Sequence, residues 1–61
     1  MKQHITLSYR PFSNDYVVTK VVNRIDPKPG VGLTQKEVEE LLREARIRKE
    51  LNVEIFRERN T

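Results

Sequence analysis

Apolar and polar residues alternate from Gln3 to Arg10 (QHITLSYR). Ile5, Leu7 and Tyr9 fall on one side, and His4, Thr6, Ser8 and Arg10 on the other. A period of two predicts a strand with one dry and one wet face. Tyr16 to Asp26 (YVVTKVVNRID) is a second candidate strand, long and rich in β-branched residues. Its odd positions, Val17, Thr19, Val21, Asn23 and Ile25, carry no charge and are assigned to the core. Its even positions, Tyr16, Val18, Lys20, Val22, Arg24 and Asp26, are assigned to the outer face. A β-bulge would flip part of this assignment, and the Val17-Val18 and Val21-Val22 doublets make room for one. Between the two runs, Pro11, Ser13, Asn14 and Asp15 supply turn residues for a hairpin.

The period changes at Thr34. Val38, Leu41, Leu42 and Ala45 recur at helical spacing and predict a helix over Thr34–Lys49. Thr34 with Glu37 forms a capping box, and Leu33, one residue earlier, is placed to pack on Val38 as a hydrophobic staple. Acids gather early (Glu37, Glu39, Glu40) and bases late (Arg43, Arg46, Arg48, Lys49), which suits the helix dipole. Four i,i+4 pairs are offered: Lys36 with Glu40, Glu39 with Arg43, Glu44 with Arg48, and Arg46 with Glu50. Ile47 lies opposite Val38 on the wheel. Either the helix ends near Arg46 and Ile47 folds into the core with Leu51, or the two form a separate patch for a partner. Asn52 is a candidate left-handed stop. Asn52 or Val53 to Glu58 then reads as a third strand, with Val53 and Ile55 inward and Glu54 and Phe56 outward. Residues 59–61 read as a frayed tail.

Pro27-Lys28-Pro29-Gly30-Val31-Gly32-Leu33 reads as a loop. The elements assemble as one small α+β domain over residues 1–61, in the order β-β-α-β. The expected sheet is three-stranded, antiparallel throughout and ordered 2-1-3, with the helix packed on one face and the other face open. Strand two lies at an edge, guarded only by Lys20 and Arg24.

Composition narrows the picture. Sixty-one residues is close to the lower limit for independent folding. The 36% apolar content lies below the roughly 45–50% of ordinary domains, and the 34% charged content lies above the roughly 25% norm. The core is therefore expected to hold about a dozen side chains at most, a thin margin that makes self-association worth considering. There are no cysteines for disulfides or thiolate metal sites. No apolar run is long enough for a membrane span or a signal-peptide core, so the expected location is the cytoplasm. The net charge of +3 is unevenly placed. Lys2, Arg10, Lys20, Arg24 and Lys28 outnumber Asp15 and Asp26 before the helix, whereas bases and acids balance from Thr34 onward.

Candidate chemistry is sparse. His4 is the single histidine and alternation places it on the outer face, so neither a triad nor a metal site assembles around it. No enzyme activity, cofactor or metal is expected. Gly30-x-Gly32 leads into the capped helix beside Lys36, which suggests either a tight connection or an anion site at the helix start. The open sheet face supports two functions. Arg10, Tyr16, Lys20, Arg24 and Lys28 would contact nucleic acid or another polyanion, including an acidic protein surface, with Tyr16 as a stacking group. Alternatively, Val18, Val22 and Phe56, or Ile47 with Leu51, or the edge of strand two, would serve a homodimer or a protein–protein adaptor. Salt separates the two, because phosphate contacts weaken steeply as ionic strength rises.

Overall fold

The computed structural model describes residues 2–57. Strand β1 runs Gln3–Arg10 and strand β2 runs Asp15–Val22, paired antiparallel as a hairpin. The turn is stabilised by Asn14, which takes a left-handed φ of 52° and accepts a 2.7 Å hydrogen bond from the Tyr9 hydroxyl. Asparagine tolerates that conformation better than most residues. Arg10 and Asp15 close the hairpin with a two-pronged ion pair: Nε donates to Oδ1 at 3.0 Å and Nη2 to Oδ2 at 2.7 Å.

The second strand is shorter than its composition suggested. It stops at Val22 because Asn23 turns left-handed, with φ 56°, and leads the chain away from the sheet. Ile25, assigned above to the core, is 84% exposed. The chain returns through Gly30, whose φ of 90° favours glycine. Gly30 and Val31 pair with Val18: the Gly30 amide donates to the Val18 carbonyl at 2.7 Å, and the Val18 amide to the Val31 carbonyl at 2.9 Å. The short strand β3, Gly32–Leu33, continues this pairing antiparallel to β2. The stretch read as plain loop therefore contributes a fourth strand.

This extra reversal corrects the topology. Strand β3 already runs parallel to β1, so helix α1 (Gln35–Ile47) carries the chain back, and strand β4 (Leu51–Arg57) also emerges parallel to β1. The sheet is mixed, with order β3-β2-β1-β4, rather than three-stranded and all antiparallel. The last strand does lie on the far side of β1, as expected.

Helix α1 starts with the predicted capping box. The Glu37 amide donates to Thr34 Oγ1 at 3.3 Å, and the Thr34 amide donates to Glu37 Oε1 at 3.2 Å. Leu33 and Val38 are both buried in the core, in the places a staple requires. The helix leaves through Arg48 in an extended conformation, and Asn52 lies within β4 rather than acting as a left-handed stop. Leu51 is buried as the first residue of β4, while Ile47 remains 76% exposed on the last helical turn. The two thus separate, one into the core and one onto the surface.

The faces of β2 need the largest revision. Strand β1 pairs Ile5 with Val21 and Leu7 with Val18, so one residue of β2 is extra where the register shifts between Thr6 and Leu7. That residue is Thr19, and with Lys20 it lies opposite Thr6 as a β-bulge. On the hairpin side of the bulge the even residues Tyr16 and Val18 face the helix, and beyond it the odd residue Val21 does. Val17 moves to the open face. The core comprises Ile5, Leu7, Val18, Leu33, Val38 and Leu51, with Tyr16, Val21, Leu41, Ala45, Val53 and Ile55 packed around it. This matches the expected size.

The bulge predicts opposite outcomes for neighbouring valines. Val18→Thr places a hydroxyl under the helix and is expected to cost about 1–3 kcal/mol. Val17→Thr, on the open face, should stay within about 0.5 kcal/mol of the parent. Urea denaturation of both variants checks this; equal losses, or a larger loss at Val17, would restore the unbulged strand.

Candidate interaction surface

The open face can be read directly from the strand registers. Because Ile5 and Leu7 point to the helix, His4, Thr6, Ser8 and Arg10 point away from it. Crossing from β2 through β1 to β4 gives three rows: Val22–His4–Asn52, Lys20–Thr6–Glu54 and Val17–Ser8–Phe56. The Asp15–Arg10 pair closes the hairpin end. Strand β3 continues the last row only with Gly32, next to Val17.

The face is polar along its middle column and apolar at three of its four corners. Val17 and Val22 are half-buried, and Phe56 is 57% exposed. Charge is divided across the central row, with Lys20 on β2 and Glu54 on β4, two strand spacings apart. His4 Nε2 lies 3.6 Å from Glu54 Oε1. Thr19 Oγ1 donates to the Thr6 carbonyl at 3.1 Å, which holds the bulge beside Lys20.

The residues assigned to polyanion contact do not gather on this face. Lys20 projects from it and is exposed. Arg10 is at its end, engaged by Asp15. Tyr16 is on the opposite side, with its ring centroid 5.0 Å from that of Tyr9. Arg24 is also beneath the sheet: its Nε donates to the Asp26 carbonyl at 2.6 Å, and its two Nη groups donate to Glu44 at 3.2 and 3.3 Å. Lys28 stands on the loop at the rim of a groove. Of the residues assigned to protein contact, Val22 and Phe56 are on the open face, Val18 and Leu51 are buried, and Ile47 is on the helix. Glu58, the expected end of the last strand, lies outside the described residues, as does the 59–61 tail.

One sheet edge differs from the expectation and the other, β4, matches it. Strand β3 with Gly30 and Val31 covers the outer side of β2 as far as Val18, leaving Thr19 to Val22 beyond it. On the other side β4 is the edge. The Gln3 amide donates to the Glu50 carbonyl at 2.7 Å, and parallel alternation then directs the backbone groups of Val53, Ile55 and Arg57 outward.

Two further features flank the sheet. The start of the helix offers little to an anion, because the Glu37 carboxylate already sits on the Thr34 amide and puts a negative charge there. Lys36 is exposed, and Gly30 and Gly32 serve the pairing with β2. A groove of about 480 Å³ opens between the 24–31 loop and the helix, over Leu33 and Leu41. Arg24 and Glu44, two of its six charged lining residues, already pair with one another. Among the described residues no three His, Asp or Glu side chains converge as a metal site would require, and no helix is long and apolar enough to cross a membrane.

No family model, curated protein or solved structure matches this chain. Sequence reasoning missed Val17 as part of the open face, and the valine doublets were the only signal for it. It also missed the Arg24–Glu44 pair. These residues are twenty apart, and only the reversal at Asn23 brings them together.

Glu44 links the loop to the helix and also accepts from Arg48 at 3.3 Å, one of the four predicted i,i+4 pairs. The hydrogen bond from Arg24 holds the Glu44 carboxyl below the usual range, against a smaller opposing effect of desolvation. A carboxyl lowered in this way stabilises the fold above its unfolded value of about 4.3, and this is lost as pH falls through the folded value. Glu44→Gln should therefore lower stability at pH 7 by about 0.5–1 kcal/mol, with the gap closing in acid. Urea midpoints measured from pH 7 down to pH 3 check this; a gap that does not change with pH would mean that Glu44 acts through packing alone.

Proposed function

We propose that this chain is a non-enzymatic protein-interaction module whose working surface is the open face of the sheet. The observation that carries this reading is the Val17–Ser8–Phe56 row with Val22. It leaves Phe56 exposed and Val17 and Val22 half-buried on a face that no helix or loop among the described residues covers. In so small a domain, where each apolar side chain counts toward the core, leaving Phe56 outside it is costly unless a partner covers it.

Polyanion binding is the competing reading, and the geometry favours it less. Of its five residues, Arg10 and Arg24 are held by carboxylates and Tyr16 packs beneath the sheet. Lys20 shares its row with Glu54. Two opposite charges across one row suit a protein surface with its own pattern of charge better than a uniform phosphate backbone.

The test uses the whole chain immobilised at nanomolar density, probed with a displayed library of random peptides and, separately, with a labelled random single-stranded oligonucleotide. Selected peptides are expected to lose at least tenfold in affinity against Phe56→Ser and Val17→Ser, while binding Glu40→Gln, on the helix, normally. Peptides that ignore both open-face variants would contradict the reading. So would oligonucleotide binding that falls with salt and is abolished by Lys20→Glu.

A further inference from the structure

The pattern of charge on the open face is self-complementary in one orientation only. Take a second copy packed face to face, with a two-fold axis running between the sheets and parallel to β1. Each residue of β2 then lies over the same row of the partner's β4, and β1 lies over β1. The rows determine what meets. Lys20 faces the partner's Glu54 and Glu54 faces the partner's Lys20, while Val17 faces the partner's Phe56 and the reverse. Every unlike charge and every apolar corner of these two rows is matched twice, while in the third row Val22 lies over the partner's Asn52 and His4 over His4. The other in-plane two-fold, at right angles to β1, stacks Lys20 on Lys20 and Glu54 on Glu54, which like-charge repulsion disfavours.

We infer that the occupant of the open face is a second copy of this chain, forming a two-fold β-sandwich joined by two Lys20–Glu54 ion pairs and two Val17–Phe56 contacts. The inference rests on the open-face reading above and adds its partner. Aligned sheets cross at about 30° and pack about 10 Å apart, which keeps the central row in register and within reach of a lysine side chain. Thr6 and Ser8 fall on the axis, each facing its own counterpart. Arg10 also approaches its counterpart there, but each copy neutralises its own arginine with Asp15 at 2.7 Å. Three strands about 4.8 Å apart and about 20 Å long present about 300 Å² per copy, roughly 600 Å² in total, below the usual range of stable specific interfaces. The dimer is therefore a weak one.

The test is sedimentation equilibrium of the full chain from about 10 to 500 µM, with circular dichroism confirming the fold of each variant. The parent is expected to dimerise. Lys20→Glu and Glu54→Lys, both at exposed positions, should each weaken association at least tenfold. An equimolar mixture of the two single variants should recover it, because one copy then carries two carboxylates, and the other two ammonium groups, at the facing positions. The double variant K20E/E54K should dimerise like the parent. A parent that stays monomeric throughout, single variants that associate normally, or a mixture that fails to recover would each overturn the inference. If the chain is monomeric while displayed peptides still map to Phe56 and Val17, only the choice of partner is wrong. If the peptides map elsewhere, the open-face reading falls as well.

Discussion

One extra residue in β2 decides what each side of this sheet does. A regular strand opposite β1 would put Val17, Thr19 and Val21 on one face, and only two of the three are apolar. With Thr19 bulged opposite Thr6, Val18 pairs with Leu7 and Val21 with Ile5, so both valines reach the helix side. Burying a valine is worth about 1.5–3 kcal/mol, a large share of what a domain of this size has in reserve. The same bulge turns Thr19 and Lys20 together toward solvent, and the Thr19 hydroxyl bond to the Thr6 carbonyl holds it in place. Core and open surface are two results of one backbone irregularity.

The second constraint is the reversal between Val22 and Gly32. Left-handed Asn23 and Gly30 bring the chain out and back along β2, and Leu33 then delivers the helix with its capping box already formed. This orders the crossover so that β4 lies beside β1 and parallel to it. The Arg24–Glu44 pair fastens the outgoing loop to the returning helix. Together these elements cover one face of the sheet. The uncovered face presents Lys20 and Glu54 at opposite ends of one row.

The helix, its cap, three of the four residues of its apolar stripe (Leu42 is exposed) and the first strand were legible because each carries a local signal. A capping box, a 3.6-residue period and a two-residue period all lie within a few positions of the residues that they organise. Val53 and Ile55 inward, with Glu54 and Phe56 outward, followed from the same short-range alternation. What could not be read depended on pairing. Strand β3 has two residues, too few for any period, and exists because Gly30 and Val31 find the backbone of Val18. The faces of β2 depended on where the bulge fell, which the two valine doublets bracketed without locating. Arg24 looked like a free surface cation until the fold brought Glu44 to it, and Arg10 until the hairpin closed on Asp15. A basic stretch of sequence thus became a folded surface on which two of its arginines are held by carboxylates.

The position of the bulge is best measured by nuclear Overhauser contacts in isotope-labelled protein. The structure predicts cross-strand contacts for Leu7 with Val18 and Ile5 with Val21, together with contacts from the Val18 methyls to the buried cluster around Val38. An unbroken ladder that sets Leu7 opposite Thr19, with Val17 methyls beside Val38 and those of Val18 in water, would contradict the account from the core outward.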